Sequence, residues 1–560
     1  MGLIPSVRLL LFFLVFCFTL PVVSGVSIVA FCPDPYMPED PDEYLVLEGA
    51  GSLDGITISD GEGGFRFPDG TLISGKLTIA RNGDAFRQSH GRYPDYECYD
   101  TTPVVPDVIR GGTFRLANAG DEIQLLSGSL LLQEVAWPQD VTPREGQIHF
   151  IEAGVWDPRV LLIGQSAFEV ASFGNISGVA FVSPDCAYEV FTRVIDGTDN
   201  RLLVNVYEFT HPGMAEALVR AHDRGVSVTV LLEGGPVGGI SPEEKAVCWE
   251  MNQSGIPVYQ MTTTGSAHAP YRFDHAKYVI SDDGGVLITS ENFKESGFPS
   301  NGYSGNRGWG VYLEDEPLAR YFTRVFEYDI SGSWVAPLTG NDGSAYELPG
   351  TRYSAVYSPL SFTGARVTPV ISPDTSRLVT GLIESSEQSI DIEEAYISNA
   401  SAHDLNPYLS AAVNASRRGV KVRVLLDSYW FNVEGETDND EMVDCINRIA
   451  RSEALPLEAR CAGLGTGRPD KIHNKGVIVD GEHVLISSIN WNTNSPTFNR
   501  ETGVIIDHPA VAGYYRRVFE DDWQASGPGA QTGAADLTKI AIGVAVIIML
   551  ILYHVYRQSR

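Results

Sequence analysis

The chain has 560 residues, of which 71 are acidic and 40 basic, for a formal net charge of −31. That length divides into several domains rather than one core. The acidic excess repels polyanions and argues against bulk nucleic-acid binding, which draws its affinity from Lys and Arg on phosphates, although it leaves a local pocket unconstrained.

The first residues, MGLIPSVRLLLFFLVFCFTLPVVSG, combine one positive charge (Arg8), an apolar core from Leu9 to Leu20 and a small-residue exit at Val23-Ser24-Gly25. This layout predicts a secretory signal peptide over 1–25. From 26 to 170, short runs such as EYLVLEG, GITISDG and GTLISGKLTIA are punctuated by Gly, Pro, Asp and Asn. Turns at that spacing predict an all-β sandwich. No grouping of acid, base and nucleophile stands out there, so a binding or spacer role is expected.

Two copies of one domain follow, near 180–334 and 354–526. RGVSVTVLLE (Arg224 to Glu233) recurs as RGVKVRVLLD (Arg418 to Asp427), and HAKYVISDDGGVLITSEN (His275 to Asn292) as HNKGVIVDGEHVLISSIN (His473 to Asn490). NRGWGV (Asn306 to Val311) recurs as NRETGV (Asn499 to Val504), and YFTRVFEYD (Tyr321 to Asp329) as YYRRVFEDD (Tyr514 to Asp522). Matched blocks in one order identify an internal duplication. In each copy an extended apolar run leads into a helical pattern and then a continuous apolar strand, which implies α/β layers with a largely parallel sheet.

Beyond the copies, GPGAQTGAAD predicts a flexible stalk over 527–537. Within 538–556, Ile540 to Tyr556 is an uncharged apolar run. At ~1.5 Å per residue it covers roughly 25 Å, enough to span a bilayer core with Lys539 snorkelling outward. Arg557 and Arg560 place the short tail in the cytoplasm and the large N-terminal portion outside, in a single-pass cell-membrane protein. Six cysteines remain after the signal peptide, an even count that suggests disulfides in an exported chain. Domain divisions favour Cys32–Cys98, Cys186–Cys248 and Cys445–Cys461. Asn175, Asn252, Asn399 and Asn414 head glycosylation sequons.

The repeated HAK and HNK stretches hold the chemistry. Both satisfy His-x-Lys-x4-Asp-x6-(Thr/Ser)-Ser-x-Asn, through His275, Lys277, Asp282, Ser290 and Asn292, and again through His473, Lys475, Asp480, Ser488 and Asn490. A lone His-x-Lys on a strand is usually a solvated face; a long spaced pattern met twice is not. Strand period 2 puts each His and its Lys on one face. Neutral His is nucleophilic near pH 7 and a second His can donate a proton there. The two Lys supply fixed positive charge to phosphoryl oxygens, with Asn292, Asn490, Ser290 and Ser488 as hydrogen-bonding partners. They can replace a metal, and neither a metal nor any other cofactor is expected.

The duplicated pattern resembles the phospholipase D superfamily, whose members join two such motifs at one site. The N-terminal region resembles a lamin-tail-type sandwich through DEYLVLEG and LANAGDEIQLL. The expected fold is therefore α/β: two tandem phospholipase D-like domains packed around one shared site, with an N-terminal all-β sandwich and a C-terminal transmembrane helix. By the resemblance, His275 is the nucleophile, forming a phosphohistidine, and His473 is the general acid and then the base. Asp282 and Asp480 belong to the motif, although their place at the far strand ends suits turn organisation better than substrate contact. Family members also have an acid downstream that orients each His. The second copy has Glu501 in NRETGV, the first only Gly308 in NRGWGV, so the acid for His275 is expected elsewhere, with Glu208 and Glu394 as candidates. The expected activity is hydrolysis, or transphosphatidylation, of a phospholipid diester of the membrane that anchors the chain, with nucleic acid as the second substrate class, non-catalytic adhesion third, and no obligate protein partner. Tyr429, Trp430 and Phe431 suit either a lipid-facing mouth or a core.

Overall fold

A computed structural model describes residues 25–137, 145–152, 155–156, 161–264, 267–282, 284–343, 350–399, 404–433 and 438–526. The expected signal peptide, stalk and transmembrane helix lie outside these residues, apart from Gly25. Among the described residues, no helix is long and apolar enough to cross a membrane.

The N-terminal part is built of two sheets. One contains Val26–Cys32, Tyr44–Ser52, Leu72–Asn82, Tyr96–Tyr99 and Gln147–Glu152; the other contains Ile56–Ser59, Gly64–Arg66, Asp121–Ser127 and Leu130–Trp137. Phe31, Ile58, Phe65, Leu125 and Val135 are buried in their common core, the inward half of the period-2 pattern. One helix, Gly83–His90, interrupts the all-β expectation; the Asn82 side chain accepts from Ala85 N at its start, and Gly91 closes it at φ +68°.

Both copies join one sheet. Across it the first copy runs Val258–Met261, Ser227–Glu233, Arg201–Val206, Lys277–Ser281, Gly285–Thr289, Asn306–Glu314 and Phe173–Ser183. The second continues through Leu360–Ser372, Glu501–Asp507, His483–Ser487, Lys475–Val479, Ser389–Glu394, Lys421–Leu426 and Leu457–Cys461. The second list repeats the first in reverse, which is the mark of a pseudo-twofold axis between the two antiparallel central strands. The strands after each Arg-Gly are parallel to their neighbours, whereas the His-x-Lys strand and the two after it are antiparallel. The expected parallel sheet is therefore mixed, because tight turns such as Asp480-Gly481 return the chain directly. One hydrophobic core spans both copies, including Val204, Phe322, Ile486, Val504 and Tyr515.

The disulfide expectation is corrected: all six cysteines are free. Cys32 and Cys98 lie on strands separated by two others in the same sheet. At ~4.8 Å per strand that is roughly 14 Å, twice the ~7 Å limit for a bridge. Cys186 instead packs its Sγ 3.6 Å from the Val182 carbonyl and 3.9 Å from the Tyr514 hydroxyl. Cys248, Cys445 and Cys461 also stand unbridged.

Candidate active site

Each His-x-Lys motif is set in place by its own copy and by the other. Within a copy, the acid ending the preceding parallel strand receives a backbone N–H from the segment before the His. Glu233 Oε2 accepts from Asp274 N at 2.5 Å, and Asp427 Oδ1 accepts from Ile472 N at 2.7 Å. Between copies, His275 N donates to Arg500 O at 2.8 Å and Arg500 N to Phe273 O at 3.0 Å, while His473 N donates to Arg307 O at 2.9 Å. The Asn-Arg strand of one copy thus lies alongside the histidine segment of the other.

Two buried arginines lock that crossing. Arg500 Nε lies 2.9 Å from Asp329 in the terminal helix of the first copy, and its Nη1 lies 3.1 Å from Asp374 of its own copy. Arg307 mirrors it, reaching Asp522 at 2.7 Å in the other copy and Asp185 at 2.8 Å in its own. Arg500, Asp329, Asp374, Arg307 and Asp185 have fully or almost fully buried side chains. Buried ions are tolerated only when paired in this way.

The crossing decides which acid faces which histidine. Glu501 Oε2 lies 2.7 Å from His275 Nδ1, so Glu501 holds the histidine of the first copy and not its own. Glu208 and Glu394 do not fill that place. Glu208 accepts from Asn292 Nδ2 at 3.0 Å and pairs with Lys294. Glu394 is the ladder neighbour of Lys475 and corresponds by register to Val206, not to Glu208. His473 faces Glu291, whose Oε2 lies 3.2 Å from His473 Nδ1, in contact but off the line of a hydrogen bond. Glu291 stands where the second copy has Ile489, and Gly308 stands where it has Glu501. A Cβ on Gly308 would sit 2.4 Å from Glu291 Oε1, so the glycine leaves room for the acid that moved one strand over. Sequence reasoning missed Glu291; the paired departures, Glu for Ile and Gly for Glu, were the available signal.

Burial dominates the electrostatics. It pulls the His275 pKa down, with Glu501 opposing and Lys277 assisting. His473 is held well below the usual histidine value by burial, then by Lys475 and Lys471. Burial lowers Lys277 to about 7 against the pull of Glu501, and Lys475 to about 8 against Glu291. Glu291 is raised to about 7 by burial, which Lys475 partly offsets. Each Lys ammonium donates to the carbonyl of its own histidine, Lys277 Nζ at 2.8 Å and Lys475 Nζ at 2.6 Å. Tyr207 closes one side, its ring 4.6 Å from the His275 ring. An anion entering here meets two buried lysines whose protonated forms it favours, an arrangement that suits a phosphoryl group.

The other expected site residues divide. Ser488 Oγ donates to Glu501 Oε2 at 2.6 Å, so it positions the acid and is not a free phosphate donor. Ser290 Oγ accepts from Trp309 N at 3.1 Å. Asn292 turns its Nδ2 to Glu208, and the Oδ1 atoms of Asn292 and Asn490 both have no hydrogen-bond partner among the described residues. Asp282 and Asp480 stand at the opposite ends of their strands, both at positive φ. Asp282 accepts from the N–H groups of Asn200 and Arg201 at 2.7 and 3.0 Å, and Asp480 from Gln388 and Ser389 at 2.8 Å each. Burial alone would raise their pKa values, but these N–H groups outweigh it and lower both. They tie turns and stand apart from the reacting groups.

A duplicated α/β sheet that opposes two His-x-Lys motifs, each histidine facing an acid from the other half, defines a two-histidine site shared between paired domains. The family model described as "Cardiolipin synthase, PLD-like domain" matches residues 191–330 and 379–523, and the chain belongs to that family. It is 33% identical to the mitochondrial cardiolipin hydrolase of Xenopus tropicalis over 114 residues, 20% of this chain and 46% of that protein. The match thus spans about half the length of that relative. Identity to a phospholipase D of Rickettsia prowazekii is 22% over 209 residues, covering 37% of this chain and 82% of that protein. Among solved structures, phosphatidylserine synthase from Haemophilus influenzae aligns at TM-score 0.45 and 13% identity, covering 62% of this chain and 85% of that one.

Proposed function

We propose that the protein is a metal-independent phosphodiesterase of phospholipase D type that acts on phospholipid diesters. The observation that carries this reading is the 2.7 Å contact between Glu501 and His275 Nδ1, made beside both motif lysines. With Nδ1–H held by the carboxylate, the Nε2 lone pair of His275 is free to attack phosphorus. The P–O bond to the alcohol breaks as His473 supplies its proton, leaving a phosphohistidine. His473 then takes a proton from water, whose oxygen attacks phosphorus and breaks the P–N bond.

His473 begins without that proton, because burial and the lysines depress its pKa. Glu291, raised to about 7, is the neighbouring reservoir. The charge of an arriving diester raises both lysines and His473 together, and the proton passes from Glu291 to His473. The two ammoniums supply the positive charge on the phosphoryl oxygens that a metal supplies in other diesterases.

In this reading the N-terminal sheets are a lamin-tail-type sandwich with a binding or spacer role, the copies occupy 180–334 and 354–526, and the chain is held at the outer face of the cell membrane by its C-terminal segment. Relatives named as cardiolipin hydrolase and phospholipase D favour a lipid diester. A nuclease is the second reading, since a nucleophilic histidine, an acid histidine and two lysines at one site suit a nucleic-acid diester as they suit a lipid one. The test incubates the full chain with EDTA against phosphatidylcholine vesicles and single-stranded DNA in parallel. Headgroup release without nucleotide cleavage is expected, lost in His275→Ala and in His473→Ala; the opposite selectivity selects the nuclease.

A further inference from the structure

Among the described residues, few large apolar side chains are exposed, and four of them belong to two loops related by the pseudo-twofold. Val237 is 80% exposed on the loop after strand Ser227–Glu233. Tyr429, Trp430 and Phe431 are 36%, 54% and 47% exposed after the matching strand Lys421–Leu426. Both loops leave the ends of parallel strands, where Glu233 closes one strand and Asp427 follows the other, and these acids hold the histidine segments. Both also touch the site. Val237 N donates to the Tyr207 hydroxyl at 2.7 Å, and the Tyr207 ring borders His275. The Phe431 ring lies 4.4 Å from Lys471 Nζ. Lys471 is the ladder neighbour of Asn306, whose amide donates to Glu291 at 2.9 Å. The three aromatics meet one another in tilted and edge-to-face contacts, with centroids 5.1 to 6.2 Å apart, and none belongs to a core cluster.

We propose that Val237 and Tyr429–Phe431 form an interfacial rim that seats the mouth of the site on a zwitterionic phospholipid surface. Exposed apolar groups clustered at one mouth mark a contact surface, and amphipathic aromatics settle at the headgroup level of a bilayer. Charge selects the occupant. Asp438, Asp440 and Glu441 follow the aromatic tip, and Glu243 follows Val237. Those carboxylates repel a nucleic-acid backbone and an anionic membrane alike, but not a surface with no net charge. Valine at the first tip points the same way: it partitions into acyl chains but offers no face on which a base could stack.

The inference deepens the lipid-diesterase reading and rests on it, so its test separates the two. Full-length wild type, a Trp430→Ala/Phe431→Ala variant and Val237→Ser are assayed on phosphatidylcholine vesicles, on soluble bis(para-nitrophenyl) phosphate and on single-stranded DNA. On vesicles kcat/KM falls about tenfold or more for the double variant and less for Val237→Ser, with the soluble diester unchanged. Equal losses on vesicles and the soluble diester, no loss on vesicles, or a loss confined to DNA each overturn the rim. If wild type turns over no diester, the diesterase reading fails alone, and the rim is then decided by quenching of Trp430 fluorescence with brominated phosphatidylcholine. Quenching that Trp430→Phe abolishes supports the rim; quenching equal in both proteins overturns it.

Discussion

Replacing Glu501 with Gln isolates what a carboxylate contributes across the crossing of the two copies. In the proposed mechanism, phosphohistidine formation places positive charge on the His275 ring, 2.7 Å from the buried Glu501 Oε2. With charge centres ~4 Å apart and an effective dielectric of about 20, the attraction is about 4 kcal/mol. Glutamine is nearly isosteric and keeps a neutral hydrogen bond worth about 1 kcal/mol. The net loss of about 3 kcal/mol corresponds to roughly a hundredfold in kcat. The pH profile gives a second, independent readout. Glu501 opposes the burial that lowers the His275 pKa, so its removal drops that pKa further. Because His275 attacks only when neutral, the acid limb of kcat/KM moves to lower pH. The assay is chromophore release from bis(para-nitrophenyl) phosphate across pH. Turnover within about threefold of wild type, or a loss with the acid limb unmoved, refutes the pairing of Glu501 with His275.

Gly308→Ala forces a Cβ to 2.4 Å from Glu291 Oε1 and pushes that acid off His473, lowering kcat by about tenfold; the double change Glu291→Ile/Gly308→Glu, which copies the arrangement around Glu501, recovers activity relative to Gly308→Ala. Arg500→Met leaves Asp329 and Asp374 buried without their cation and costs about 3–5 kcal/mol in a urea titration, and Arg307→Met does the same through Asp522 and Asp185. Asp282→Asn weakens the bonds from Asn200 and Arg201 and costs about 1–2 kcal/mol at neutral pH with little effect on kcat. Because the folded pKa of Asp282 is lowered below 3.8, its stabilisation is present above the unfolded value and disappears as pH falls through the folded one. Wild type and variant therefore converge in acid, and urea midpoints at the two pH values check it.

The duplication, the strand and helix order and the paired His-x-Lys motifs are legible in the sequence because each is a local pattern of period and spacing. Which acid meets which histidine is not, since the separation of 226 positions from His275 to Glu501 gives no local signal and the pairing depends on how two sheet halves cross. Glu501 was visible as an acid, but its partner was assigned to the wrong copy. Ser488 looked like a phosphate donor because a motif shows residue type, not where a hydroxyl points; only the fold reveals that Glu501 takes it. The cysteines misled by number: an even count says nothing about strand order, and strand order keeps Cys32 from Cys98.

The edge-to-edge union of the copies also protects the chain from itself. Central strands of 11 and 13 residues, Phe173–Ser183 and Leu360–Ser372, satisfy each other. Among the described residues the main run of strands then ends at Val335–Pro337, which is short and has a proline, and at the five-residue Leu457–Cys461. Short, interrupted margins resist sticking to other chains, whereas a long open strand is a template for them. Separating the gene between the copies would uncover that template on both products. Joined in one chain, the copies keep both strands covered, so the linkage serves solubility as well as chemistry.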